Sequence, residues 1–434
     1  MDAIYKSAHL TLIAAAGVDP SRGLPGVSEV RHRTYRYASI ADVRNTTYRM
    51  GCDIGEVRVS YRPTTAHRAI TRSRWFTRGW TLQEGYLSRK RLYFTESAVV
   101  FICNQRQDYE GYKHPNEIQN SGLLRGTLNT QAMWTTSDGH DGLTDIMELL
   151  QQYSERTLSY DSDALNAISG LLKHHCTEDQ SMGTIWGIPH QLSPANQRII
   201  CINWYHTQIP VEWTPAIRRS GYPSWSPLGW IKPVEFLDAP GQFVVLEENA
   251  SGFSNREKDE RTDWSLLETS PYLRITVSVL RVSVVNLENP STNYVAALNF
   301  TGPKVFLMLP VGGTKGNGED PKIYLQVRWD TAPPDHYSNS EVLCAASWSH
   351  DLQYLSMMVL QDHGTHYERI GFAWTKGGWH DALKAAGLEE LVCRCSTTNG
   401  IPTLGLSYDP DHDWTAEEDL AWLRNAEKTT ITLG

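Results

Sequence analysis

The hydrophobic period of this chain changes along its length, and that change limits the folds open to it. Up to about residue 105, apolar runs of strand length alternate with helical patterns, which predicts an α/β arrangement. Met1 to Ala8 reads as the end of a helix, His9 to Ala16 as a buried strand stopping at Gly17, and Trp80 to Leu87 as a helix. Arg91 to Thr95 and Ala98 to Cys103 read as strands. The second of these is apolar without a break, so it is expected inside a sheet. Residues 106–192 read as mainly helical: Leu143, Ile146, Leu149, Leu150 and Tyr153 share one helical face, and Asp163 stands where it would cap an apolar helix over 164–172.

From about Gln242 the period becomes that of short strands, expected at 242–246, 272–285, 294–300, 304–309, 323–329, 342–348, 354–360 and 370–374. In the longest, Leu273, Ile275, Val277 and Val279 share one face, then Leu280, Val282 and Val284 take the other. That switch predicts a bulge or a strand passing between two sheets. The expected organisation is therefore an α/β domain over 1–105, a helical segment over 106–192, and a β-rich sandwich or barrel over 193–412 with an exposed loop at 247–262. A C-terminal helix and tail over 413–434 follow, with Thr415 and Glu418 as a capping box for Trp414 to Glu427. The overall class is α+β, and 434 residues suit two or three domains.

Charge is unevenly spread. Between Arg22 and Arg91 there are 14 Arg plus Lys90 against Glu29, Asp42, Asp53, Glu56 and Glu84, a local balance of +10 in a chain of net charge -9, so the remainder carries -19. Such a lobe suits an anion such as phosphate or a nucleotide, or a salt-bridged interface with an acidic body. Tyrosines and tryptophans among these arginines would also suit single-stranded nucleic acid, but no nucleic-acid module can be read, so that partner is not expected. The longest apolar stretch, Leu10 to Val18, is far short of the roughly 20 residues a membrane-spanning helix needs. Asp2 and Lys6 before it do not make an export leader. Seven sparse cysteines fit reduced thiols and a cytoplasmic setting, with Cys393 and Cys395 as alternate residues of one strand.

The densest group of reactive side chains is Ser73-Arg74-Trp75-Phe76-Thr77-Arg78-Gly79-Trp80-Thr81-Leu82-Gln83-Glu84. A helix start just before a central strand is a common ligand position in α/β folds, where Arg74 and Arg78 could clamp an anion, Trp75 or Trp80 could stack on a base, and Glu84 could act as acid or base. Against this stands a purely structural reading, in which Thr81 and Glu84 form a capping box. His363-x-x-His366 has no carboxylate or cysteine partner at a telling spacing and reads as a surface loop, so no metal site is expected. His174 and His175 suit a helix C-terminus. The glycine-rich phosphate loops and the G-x-S-x-G elbow are absent from the sequence.

Three ordered blocks resemble the fungal heterokaryon incompatibility (HET) domain: Asp2-Ala3-Ile4-Tyr5-Lys6-Ser7-Ala8 with Leu12-Ile13-Ala14-Ala15-Ala16-Gly17; Gly23-Leu24-Pro25-Gly26-Val27; and Arg78-Gly79-Trp80-Thr81-Leu82-Gln83-Glu84 with Leu87-Ser88-Arg89. Tyr153-Ser154-x-Arg156-x-Leu158, Asp163 to Gly170 and Pro223-Ser224-Trp225-Ser226 resemble the segment that follows such domains. The resemblance implies self/non-self recognition and programmed cell death in a fungus. It also implies a distant likeness to TIR domains, whose flavodoxin-like fold carries a glutamate, in a Trp-Cys-x-x-Glu helix, that supports NAD cleavage. Trp80 and Glu84 have that spacing, so NAD is a candidate substrate and no other cofactor is expected. The strand and Ile-Cys-Ile-Asn-Gln-like motif that normally precede the first block are not in this sequence. The expectation is thus an N-terminally incomplete domain, inactive as an enzyme in this form. The alternative is a non-enzymatic interaction module. Either way, the expected partner is another protein bound through the β-rich region, or a second copy of the chain.

Overall fold

The computed structural model describes residues 2–17, 23–25, 27, 50–54, 57–61, 66–96, 99–103, 106–109, 142–178, 182–192, 198–207, 213–237, 243–245, 270–286, 305–310, 322–333, 340–348, 354–376, 391–398, 401–408, 426 and 428–434. The expected strand at 294–300, the loop at 247–262, the closing helix with its capping box, and half of the arginines of the basic stretch lie outside these residues. The chain forms two compact units, one of residues 1–141 and 156–174, the other of 142–155 and 175–434. Helices and strands are mixed, and the second unit is strand-rich, an α+β protein as the period change predicts.

In the first unit the elements run α1 (Asp2–Ser7), β1 (Thr11–Ala14), β2 (Met50–Ile54), β3 (Val57–Tyr61), α2 (Ala66–Thr71), α3 (Thr81–Leu87), β4 (Lys90–Phe94), β5 (Val99–Cys103) and β6 (Arg106–Tyr109). Helix α5 (Asn166–Glu178) contributes its residues 166–174. The main sheet has the order β1-β4-β5-β6, with β1 and β4 parallel and the other pairs antiparallel. The apolar run of β5 is internal, as expected, but alternates: Val100 and Ile102 are buried while Val99, Phe101 and Cys103 are half-buried. Ile13, Ile70, Leu82, Tyr93, Val100, Ile102, Ile168 and Leu171 are among its best-buried apolar positions.

In the second unit α4 (Gly142–Ser154) buries Leu143, Ile146, Leu149, Leu150 and Tyr153, the face its period predicts. The strands of this unit are β7 (Met182–Ile185), β8 (Ile188–Leu192), β9 (Arg198–Ile200), β10 (Trp204–His206), β11 (Ile217–Arg218), β12 (Trp230–Ile231), β13 (Val234–Phe236), β14 (Phe243–Val245), β15 (Leu273–Asn286), β16 (Val305–Pro310), β17 (Lys322–Gln326), β18 (Arg328–Trp329), β19 (Glu341–Trp348), β20 (Tyr354–Asp362), β21 (Tyr367–Lys376), β22 (Leu391–Thr398), β23 (Ile401–Tyr408) and β24 (Lys428–Leu433). The chain tail is therefore a strand. It lies antiparallel against β15.

Helices α4 and α5 are present as predicted within 106–192, but β6, β7 and β8 are strands there. Strands β7 and β8 form a hairpin whose two turn residues, Trp186 (φ 49°) and Gly187 (φ 81°), both have positive φ. That is the backbone of the turn best matched to the twist of a hairpin. A Trp-Gly pair is a weak signal for it, and for that reason the sequence does not announce the hairpin. A Cβ on Gly187 would also stand 2.6 Å from Leu228 Cδ1.

Strand β15 explains the phase switch. On one edge it pairs with β14 and then β19; on the other with β24 and then β16. Leu273, Ile275 and Val277 are buried in the first half and Val282 and Val284 in the second, the change falling at Ser278, where β24 ends and β19 begins. The sheet then closes. Strand β17 pairs with β16 and β18 with β21, and only Val327 separates β17 from β18, so β15, β16, β17–β18, β21, β20 and β19 form a ring. Val284, Leu307, Val327, Trp329, Cys344, Met357, Val359 and Ala373 fill it. The β-rich part is thus a barrel, closed so that six strands present no free edge.

Candidate functional site

Helix α3 begins where a tight segment, residues 77–79, is clamped to residue 157. Thr157 N–H donates to Thr77 O (2.7 Å) and Gly79 N–H donates to Thr157 O (2.8 Å). Arg156 secures the same turn, its Nη1 lying 3.2 Å from Arg78 O and 3.3 Å from Thr81 Oγ1, with its guanidinium 4.4 Å above the Phe76 ring. The Arg156 of the Tyr153-to-Leu158 block is therefore the fastener of the turn that launches α3. A buried, planar, multiply donating cation suits this, because one side chain meets two oxygens and a ring face.

The capping box expected at Thr81 and Glu84 does not form. The N-cap is Trp80, in helical conformation, with no side-chain cap. The Thr81 hydroxyl instead faces the carbonyls of Trp75 (2.5 Å) and Arg78 (2.7 Å), so its hydrogen is directed away from the helix amides. Glu84, freed from that duty, accepts a hydrogen bond from Trp75 Nε1 at 2.8 Å on its Oε2. The Tyr5 hydroxyl on α1 also bonds Glu84, and burial first, then the Glu84 charge and this hydrogen bond, push Tyr5 from 10.0 up to about 12. The two donors fix the position of the carboxylate.

Of the other candidate residues, Trp75 is buried and meets Tyr93 edge to face at 5.6 Å between centroids. Trp80 is half-buried and donates from Nε1 to Asp163 Oδ2 at 3.1 Å. This replaces the N-cap role expected for Asp163, which lies in a 3-10 turn over Asp161–Asp163 ahead of α5. Arg74 and Arg78 are exposed, in the segment that precedes α3. Tyr5 and Trp75 are thus brought to the carboxylate, while the two arginines stand at the surface.

Sequence reasoning missed four residues of this neighbourhood as side chains with a task. Tyr5 and Arg156 stood only inside resembling blocks. Gln83 donates from Nε2 to Ala167 O (2.7 Å) at the start of α5. Gly170 lets α5 approach α1 and α3: a Cβ there would meet Gln83 Oε1 at 2.6 Å and Asp2 Cβ at 2.8 Å. Below α3, the buried Arg91 donates to Gly85 O at 2.6 Å. Burial holds its pKa down while the nearby Tyr93 hydroxyl is pushed up by its own burial.

His363 and His366 sit in the exposed turn between β20 and β21, their rings stacked at 5.3 Å, with His363 Nε2 at 3.5 Å from Glu368 Oε2. Among the described residues no group of three or more metal-ligating side chains gathers. Nor, among them, is any helix long and apolar enough to cross a membrane.

Comparison with family models matches residues 1–84 to the family described as Heterokaryon incompatibility protein (HET). Comparison with curated proteins and with solved structures gives no match.

Proposed function

We propose, from the premise that residues 1–84 carry heterokaryon incompatibility (HET) sequence, that this protein is an incompatibility-type effector. In this reading it acts in self/non-self recognition and programmed cell death in a fungus. The observation that carries it is the match itself, whose end falls on Glu84, the carboxylate that Tyr5 and Trp75 hold. The α/β lobe is the effector and the β-barrel unit is the sensing or partner-binding module. Expression of the intact-domain form in fungal cells should arrest or kill them, and Glu84→Ala should remove that effect. Undiminished killing by a stably folded Glu84→Ala protein would take Glu84 out of the mechanism.

A second reading is favoured by the fixed carboxylate: cleavage of the nicotinamide–ribose bond of NAD. The N-glycosidic bond breaks, nicotinamide leaves with the bonding pair, and water adds to the ribose carbon, releasing a proton. Glu84, held by two donors, would face the positive charge that develops on the sugar. Trp75 then serves the carboxylate through its N–H, stacking falls to the half-exposed Trp80, and Arg74 and Arg78 meet phosphate. Nicotinamide release from NAD by a form with the domain complete, lost in Glu84→Gln, is the expected result; no release by such a form that kills cells would leave the effector reading and remove the enzymatic one.

A further inference from the structure

A cleft of about 590 Å³ opens between the C-terminal end of α1 and the turn from α3 into β4, and neither Glu84 nor Tyr5 lines it. Lys6, His9, Arg89 and Lys90 line it, and none of its lining residues is acidic. Lys6 is already positioned, its ammonium lying 3.2 Å from His174 Nδ1 on α5, an arrangement in which the lysine donates and the imidazole accepts. His9, Arg89 and Lys90 are exposed at the rim. Cations gathered without a carboxylate repel one another, a cost that an anion in the cleft removes. Helix ends do not account for the cluster: α1 and α3 have only 6 and 7 residues, and a helix C-terminus favours a cation only weakly.

We infer that this cleft binds a phosphate group of high charge, a phosphomonoester or pyrophosphate, on Lys6, Arg89 and Lys90. The volume is that of a small-molecule site, and not of a track for a polymer strand. Arginine supplies a planar two-pronged donor and the lysines supply point charges, the combination that phosphate oxygens accept. The site does not include Glu84 and stands independently of the effector and NAD readings.

The test uses the full chain and inorganic pyrophosphate, titrated by calorimetry at fixed ionic strength, with the double variant Arg89→Ser, Lys90→Ser. A second variant, Lys6→Met, covers the case in which the first does not fold. Saturable binding that either folded variant weakens on the order of tenfold is the expected result, as for lost charge-assisted contacts at an open site. Lys428→Ser, at an exposed position on β24, should bind like the parent. No saturable binding, or equal affinity in the variants, overturns the proposal. Vesicles of phosphatidylcholine with phosphatidic acid distinguish the source of the phosphate. Cosedimentation lost in the variants assigns the site to a lipid headgroup, and pyrophosphate binding without cosedimentation assigns it to a free ligand.

Discussion

Tyr5 and Trp75 both direct a hydrogen at Glu84, and this makes the carboxylate measurable through the phenol beside it. Glu84 raises the Tyr5 pKa by its charge and by its hydrogen bond, whereas burial raises it independently. Glu84→Gln should therefore lower the Tyr5 pKa from about 12 yet leave it above the ordinary 10.0, read as an earlier onset of phenolate in tyrosine NMR against pH. An unmoved titration would mean that the two side chains do not meet. The pairing was not legible in residue types: Tyr5 and Glu84 stand 79 positions apart. The local pattern around Glu84 fits a capping box equally well, because the same Thr-x-x-Glu spacing serves both roles. Only the placement of the Trp75 indole, nine residues upstream, decides which partner the carboxylate takes.

At the scale of elements, α5 closes on α1 and α3 through a residue with no side chain. Gly170→Ala should force Gln83 or Asp2 to move and should cost about 1–3 kcal/mol in denaturant unfolding, the usual penalty of overpacking. Its effect should shrink in a Gln83→Ala background, since the 2.6 Å clash partner is then gone. A gain in stability from Gly170→Ala, as ordinary helix propensity alone would give, would show that the close approach is absent. The elements themselves were largely readable: α1, α3, β4, β5, the apolar face of α4 and the phase switch of β15 all follow from period. The hairpin of β7 and β8 was not, because its turn depends on positive φ at Trp186, a conformation that tryptophan does not advertise.

Across the whole β-rich unit, the polar centre is Asp330 with Arg369 and His206. Arg369 Nε donates to Asp330 Oδ2 at 2.8 Å, its Nη2 donates to Trp204 O at 2.7 Å, and its guanidinium lies 3.4 Å from the Trp204 ring centroid. His206, fully buried beside Trp204 and Trp230, has Nε2 3.6 Å from Asp330 and Nδ1 3.4 Å from Pro233 O. Burial, reinforced by Arg369 and Lys232, drives its pKa down to about 4 against the opposing pull of Asp330 and Pro233 O. The unfolded chain then binds a proton near pH 6.5 that the folded unit refuses until about pH 4, so stability falls as pH drops through that window. The loss should total about 3 kcal/mol, seen in denaturant midpoints, and His206→Gln should flatten it. A midpoint that does not move between neutral pH and about pH 4 in the parent would contradict a neutral buried imidazole.

The sequence by itself determined the class of the elements and the family-model match of the first 84 residues, because period and short motifs are local properties that survive without neighbours. It separated a mixed α/β opening from a strand-rich remainder, and it marked Glu84 and the tryptophans as side chains with polar business. Only the tertiary structure decided what they face. It closed six strands into a barrel through a two-part β17–β18, turned the chain tail into a strand on β15, and gathered Lys6, Arg89 and Lys90 around one cleft. Partners in these arrangements are tens to hundreds of residues apart along the chain. Their meeting is fixed by ladder register and close packing, which no local pattern encodes.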